Sequence, residues 1–340
     1  MYHSVLVPRI QIKWDSLYRY CSSPFLPPKY QHLVAAEKMS LPSLTGKVCL
    51  VTGGAGGLGK AIAQALLSAG ALVAITDINQ TLLDSVSASF PPSSFLAVHA
   101  NVTIEESARQ LVSEVVSKFG HLDILVNNAG IMDNFDGVAE CQMDMWGRVL
   151  AVNLTGPFIM TGLAVKNFLE NGTKGRILNI GSLASFRGGT AGKCFSFFLS
   201  FLFFFHHVLS PMHNSFFFFP SVSLRSYRGK FLSRSYLGVA YTASKHGLLG
   251  LTKNTAATYG KKGIRCNILM PGGMATNISA SMGANINMDG LERVKSLMGA
   301  VGTEMCDVDA VAKTAVFMCS DLSQVLNGAE IVSDNGWCSY

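Results

Sequence analysis

Tyr241-Thr-Ala-Ser-Lys245 places a phenol and an ammonium four residues apart. On a helix that spacing puts both groups on one face, one turn apart. A free tyrosine ionises near pH ~10 and is a poor proton carrier at neutral pH. A neighbouring cation favours the phenolate, so the pair predicts a Tyr241 whose pKa is lowered by Lys245 into the range of general acid–base work. Tyr and Lys recur at this spacing by chance on many helices. What gives the pair weight is the chain upstream, which supplies an anion-binding pattern in the right order.

That pattern begins at Val48-Cys-Leu-Val51, a short apolar strand that runs into Thr52-Gly-Gly-Ala-Gly-Gly-Leu-Gly59. A helical period follows through Ile62, Ala65, Leu66 and Ala69, closed by Gly70. Strand, glycine turn and helix N-terminus together make a cradle for a pyrophosphate, because glycines admit the backbone and free N–H groups face the negative charge. A second strand, Ala71–Thr76, ends in Asp77, eighteen residues beyond Gly59. A carboxylate there accepts hydrogen bonds from adenosine ribose hydroxyls and repels a 2′-phosphate. No Lys or Arg stands at Gly54–Gly56 or Ile78 to neutralise such a phosphate, which favours NAD over NADP. Strand and helix continue to alternate: Phe95–His99, a helix over roughly 104–119, then Asp123–Val126 leading into Asn127-Asn-Ala-Gly130. A long helical pattern over about 143–170 carries Asn153, and the strand Arg176–Ile180 ends at Gly181-Ser182. The alternation predicts a single-domain α/β fold, a doubly wound parallel sheet of the Rossmann type.

The ordered set of Thr52-Gly53-x3-Gly57-x-Gly59, the turn at 127–130, Asn153, Ser182, Tyr241-x3-Lys245 and Pro271-Gly272 resembles the short-chain dehydrogenase/reductase family. The likeness covers residues 39–192 and 239–340. It implies that Tyr241 is the general acid–base and that Lys245 lowers its pKa and binds the nicotinamide ribose. Ser182 would bond the substrate oxygen, and Asn153 would hold a water of the proton relay. The cofactor would be held by Gly53, Gly57, Leu58 and Gly59, by Asp77, and by Asn101 and Val102. Asn128, Ala129 and Gly130, then Pro271, Gly272 and Thr276, would complete that site with Tyr241 and Lys245. The reaction implied is hydride transfer between a secondary alcohol or ketone and NAD. Asn101 stands where relatives usually have an Asp beside the adenine, and its side-chain oxygen is expected to preserve the contact. A 3-oxoacyl-thioester reductase using NADPH is the nearest alternative, since Lys245–Lys253 resembles that group too. Relatives commonly form homodimers or homotetramers, so an oligomer is implied on the same ground.

Composition bounds the remaining classes. The chain has 340 residues, 49% hydrophobic, with 33 glycines and a net charge of +6. The basic excess sits in residues 1–38 (+3) and 193–238 (+5), which leaves a body of net −2 and argues against nucleic-acid binding. Eight scattered cysteines with no C-x-x-C suggest a reducing compartment, with neither a disulfide framework nor a metal site. Residues 1–38 show no sustained period and are broken by Pro8, Pro24, Pro27 and Pro28. They read as a disordered extension, or as upstream sequence before a start at Met39. The alternative is a mitochondrial presequence, given Arg9, Lys13 and Arg19; otherwise the expected setting is cytoplasmic.

The segment 193–238 interrupts the pattern. It holds 12 of the 21 phenylalanines and no acid, and it separates Ser182 from Tyr241 by 59 residues. Removing it joins Gly192 to Val239 and leaves Tyr241 thirteen positions after Ser182, the usual family spacing. Its apolar run, Phe195–Phe205, is about eleven residues, short of the roughly 17–25 needed to span a membrane. A retained intron is the preferred reading. Gly192-Lys193 can be encoded with a GTAAG donor and Leu237-Gly238 with a TAG acceptor, both after the first base of a glycine codon. A genuine insertion is the other reading, and with it a nucleotide-binding protein that the insert has disabled. The residues between Thr276 and Val301 are expected to form the substrate lid, whose Met282, Met288 and Met298 suggest a partly apolar substrate.

Overall fold

The computed structural model describes residues 41–187, 238–283, 285–301 and 304–339. The extension over 1–38 and, save Gly238, the Phe-rich segment lie outside the described residues. Seven parallel strands make one sheet: β1 Val48–Thr52, β2 Leu72–Asp77, β3 Phe95–His99, β4 Ile124–Asn127, β5 Arg176–Ile180, β6 Arg265–Pro271 and β7 Glu330–Ser333. Their spatial order is β3-β2-β1-β4-β5-β6-β7. In β1, Leu50 lies opposite Ala74 of β2 on one side and Leu125 of β4 on the other. The order of strands reverses between β1 and β4, and a crevice opens at their carboxyl ends. The doubly wound sheet expected from the alternation is the fold that forms.

The helices are α1 Gly57–Ser68, α2 Gln80–Ser87, α3 Glu105–Phe119, α4 Met143–Leu150, α5 Gly156–Glu170, α6 Val239–Tyr259, α7 Met288–Val301 and α8 Val308–Cys319. Strand residues alternate between two cores. Cys49 and Val51 pack with Ile62 and Leu66 of α1 and with Val311 and Val316 of α8. Val48 and Leu50 pack with Leu111 and Val115 of α3 and with Met160 and Phe168 of α5. Each such side chain, fully buried, stabilises the fold by about 1.5–3 kcal/mol relative to exposure. Burial on both faces explains why the strands read as near-continuous apolar runs.

The stretch expected as one helix over 143–170 is two α-helices joined by a π-helical turn, Ala151–Thr155, which carries Asn153. These 28 residues are apolar and long enough to cross a membrane. Here that apolar length serves the core, with Met160, Ala164 and Phe168 fully buried against the sheet.

Candidate active site

A cavity of about 730 Å³ lies at the carboxyl ends of the strands. Every site residue expected from the sequence lines it except Asn153, which is buried beneath it. At one end is the glycine turn between β1 and α1. A methyl group on Gly59 would sit 2.1 Å from the Gly53 carbonyl oxygen, so no larger residue lets the turn close on itself. α1 starts with no side-chain cap and no acid in its first turn, leaving its N–H groups to a ligand. Thr276 leans over Gly57, where an added Cβ would meet its side chain at 3.2 Å. The uncapped N–H groups and the Thr276 side chain would hold a dinucleotide's phosphates.

Asn128 holds this turn to the one after β4. Its amide nitrogen donates to the carbonyls of Thr52 and Gly53 at 2.9 and 3.0 Å. The backbone N–H groups of Asn128 and Ala129 both donate to the Thr52 hydroxyl. At the adenosine end, the Asp77 carboxylate accepts from the N–H groups of Ala55 (3.3 Å) and Asn79 (3.1 Å), and it lines the cavity beside Ile78. Asn101 departs from expectation. Its side-chain oxygen accepts from both the N–H and the hydroxyl of Thr103, at 3.0 and 2.8 Å. With both lone pairs engaged in this local turn, the group left for an adenine is the amide donor, not the oxygen.

At the other end, β5 delivers Ser182 and α6 delivers Tyr241 and Lys245. Ser182 caps the short 3₁₀ turn Leu183–Ser185, accepting from the Ala184 N–H at 3.2 Å, and it hydrogen-bonds the Tyr241 phenol. Lys245 donates from Nζ to the Ile180 carbonyl at 2.8 Å and lies 5.5 Å from the centre of the Tyr241 ring. Asn153 receives the Ile131 N–H at 2.8 Å and donates to the Ile131 carbonyl and the Ser244 hydroxyl. Both its amide protons are engaged, so the side chain braces the wall of the site instead of offering a free donor to a relay water. The π turn that holds it is a feature often found at functional sites.

The electrostatics reverse one expectation. Burial pushes the Tyr241 phenol up to about 12, against the Ser182 hydrogen bond that draws it down. Burial likewise pushes the Lys245 ammonium down to about 8. The ammonium sits over the ring and faces a carbonyl, and desolvation disfavours charge on both groups. At neutral pH Tyr241 is therefore a protonated donor.

Beyond Tyr241 the walls are mostly apolar, with Ile131, Met132, Ile278, Val294, Met305 and Trp337. Of the methionines expected to supply this character, Met288 is 65% exposed and Met282 does not line the cavity; the side chain of Met298 lies outside the described residues. Sequence reasoning also passed over Ser244, although it stands inside the Tyr–Lys motif. It missed Asp133, which takes the Tyr241 backbone N–H at 2.8 Å from 108 positions away. Only a fold could reveal that contact.

A glycine cradle for a dinucleotide, facing a phenol able to move a proton, is the arrangement of a nicotinamide-dependent oxidoreductase acting on alcohols and ketones. Comparison with known proteins narrows the class. A family model described as short chain dehydrogenase matches residues 47–196, and one described as enoyl-(acyl carrier protein) reductase matches 198–338. A short chain dehydrogenase/reductase of Gibberella zeae is 39% identical over 303 residues, 88% of this chain and 96% of the relative. 3beta-hydroxysteroid dehydrogenase 2 of Eggerthella lenta is 32% identical over 307 residues, 90% of this chain and 100% of the relative. Secoisolariciresinol dehydrogenase of Forsythia intermedia is 30% identical over 295 residues, 86% and 90% of the two chains. The chain belongs to the short-chain dehydrogenase/reductase family.

Proposed function

We propose that the chain is an NAD-dependent oxidoreductase that interconverts a secondary alcohol and its ketone, with Tyr241 as general acid–base. The observation that carries this reading is the meeting of Tyr241, Ser182 and Lys245 in one cavity with the glycine cradle. NAD, when bound, supplies the carbon that takes or gives the hydride. In the reducing direction Tyr241 gives its phenolic proton to the carbonyl oxygen while Ser182 holds that oxygen, and the ketone becomes the alcohol. In the oxidising direction the phenolate takes the hydroxyl proton back. Lys245, held 5.5 Å from the ring centre by its bond to the Ile180 carbonyl, stands beside the phenol, where its ammonium would hold the nicotinamide ribose.

Three features favour NAD over NADP: Asp77 at the end of β2, the uncharged Ile78 and Leu82 beside it, and the lack of a basic residue in the glycine turn. The apolar walls suit a bulky apolar substrate, in keeping with the hydroxysteroid and the secoisolariciresinol named for two of the relatives. The acyl-thioester reading is kept by the description of the second family model. A cofactor-preference assay on the full chain separates these readings, using hydroxysteroids, secoisolariciresinol and 3-hydroxyacyl thioesters. The expected result is turnover of an apolar alcohol with at least a ~10-fold preference in kcat/KM for NAD, about 1.4 kcal/mol. A preference for NADP with the thioester would overturn it. Cofactor binding without turnover on any substrate would instead identify a disabled protein.

A further inference from the structure

The catalytic helix α6 begins without a cap of its own: Gly238 precedes it and contributes no side chain. Its orphan N–H groups are met from elsewhere. The carboxylate of Asp133, wholly buried in the loop after β4, accepts the Tyr241 N–H at 2.8 Å through Oδ2. It also accepts the Phe135 N–H at 3.2 Å through Oδ1, and the N–H of Gly238. The Val239 N–H donates to the Asp136 carbonyl at 2.9 Å. The same loop reaches the other wall of the cavity, where Asn134 Oδ1 accepts the Gly283 N–H at 2.8 Å and the Met132 N–H donates to the Ser281 hydroxyl at 2.9 Å.

We propose that Asp133 is a positioning residue that caps the catalytic helix at Gly238 and Tyr241 and so sets the phenol against Ser182. The proposal rests on the catalytic reading of Tyr241 given above. Two consequences follow from the geometry. A Cβ at position 238 would lie 2.3 Å from either carboxylate oxygen, so the residue before Val239 must be glycine. Excision of the Phe-rich segment would put Gly192 in that place, so both forms of the chain satisfy the requirement. The bonds from the Val239 and Tyr241 N–H groups anchor the helix within its own first turn.

The test uses the full chain with Asp133→Asn. Asparagine keeps the size but offers one acceptor oxygen where the carboxylate offers two, so one N–H loses its partner. The expected result is a fall of at least ~10-fold in kcat, with the NAD dissociation constant within about twofold of wild type. Amide exchange at Gly238–Tyr241 should accelerate by ~10-fold or more. The basic limb of the pH–rate profile should also move to lower pH. Among the described residues, the charged groups near Tyr241 are Asp133 from the β4 loop, with Asp136 beside it, Lys245 from its own helix, and Arg148 and Arg187 on the cavity walls. Removing the nearest negative charge eases loss of the phenolic proton. A loss of folded protein alone would not move that limb.

Unchanged kcat and unchanged exchange overturn the proposal, as does loss of NAD binding in parallel with kcat. Gly238→Ala, which presses on the same carboxylate from the other side and keeps its charge, carries the same expectations for kcat, NAD binding and amide exchange, and the same refutation if Asp133→Asn does not fold. Wild type inactive on every substrate would refute the catalytic reading instead. The exchange pattern alone would then decide whether Asp133 caps the helix.

Discussion

Replacing Lys245 by Met should make the protein more stable and less active at once. The wild-type side chain is 4% exposed, and its ammonium donates to the Ile180 carbonyl at 2.8 Å. Burial takes its pKa from 10.5 to about 8. A displacement of that size corresponds to about 3 kcal/mol in favour of the neutral amine. Below pH 8 the folded protein bears this penalty in full, because the unfolded chain holds the same proton without it. Between about pH 8 and 10.5 the unfolded chain is the more protonated state, so wild-type stability rises with pH and the penalty disappears. Methionine has a similar length and no charge, but leaves the Ile180 carbonyl without its donor, which costs about 1 kcal/mol. The net expectation at pH 7 is a variant more stable by about 1–2 kcal/mol, with a melting temperature several degrees higher. At pH 10 the difference should have vanished or reversed. Urea unfolding of both proteins without cofactor, at pH 7 and pH 10, measures it. A variant less stable at pH 7, or a gap that does not change with pH, would show that the ammonium is not desolvated as the geometry indicates.

Other expectations concern the site directly. Tyr241→Phe should lower kcat by ~10²–10⁴ and leave NAD binding intact, read by turnover alongside cofactor fluorescence. Ser182→Ala should lower kcat by about 10²–10³, through loss of the hydroxyl that holds the substrate oxygen; a change confined to KM would assign Ser182 to binding alone. Asp77→Ser should narrow the preference for NAD over NADP by at least ~10-fold in kcat/KM, since the repelling charge is gone. Gly59→Ala should lose cofactor binding, because the new methyl meets the Gly53 carbonyl at 2.1 Å; titration with NAD reports it. Trypsin digestion of the native protein should yield Gly188–Gly192 fused to Val239–Lys245, as peptide mass spectrometry would show. Recovery of Phe231–Arg234 from soluble protein would establish the segment as a true insertion.

Several parts of the fold could be read from local chemistry. The strands β3 and β5 fall on the expected residues because an apolar run bounded by turn residues is a local signal. The glycine turn was readable because its spacing reports a backbone conformation, and the Tyr–Lys pair because helical periodicity places both groups on one face. Asn101 marks the edge of this legibility. Its oxygen is taken by Thr103 two residues on, a contact within local reach that the comparison with Asp obscured.

The sequence by itself determined the order of strands and helices, the anion cradle at β1 and the chemical identity of the groups that could move a proton. These follow from neighbours along the chain, where period and spacing act. Only the tertiary structure decided the state of those groups. The burial that pushes Tyr241 up and Lys245 down comes from walls supplied by distant segments, and desolvation depends on everything packed around a charge. The same holds for Asp133, which has no signature of its own in the sequence. Its carboxylate becomes the cap of the catalytic helix because the sheet brings the β4 loop against Gly238, across more than a hundred residues of chain.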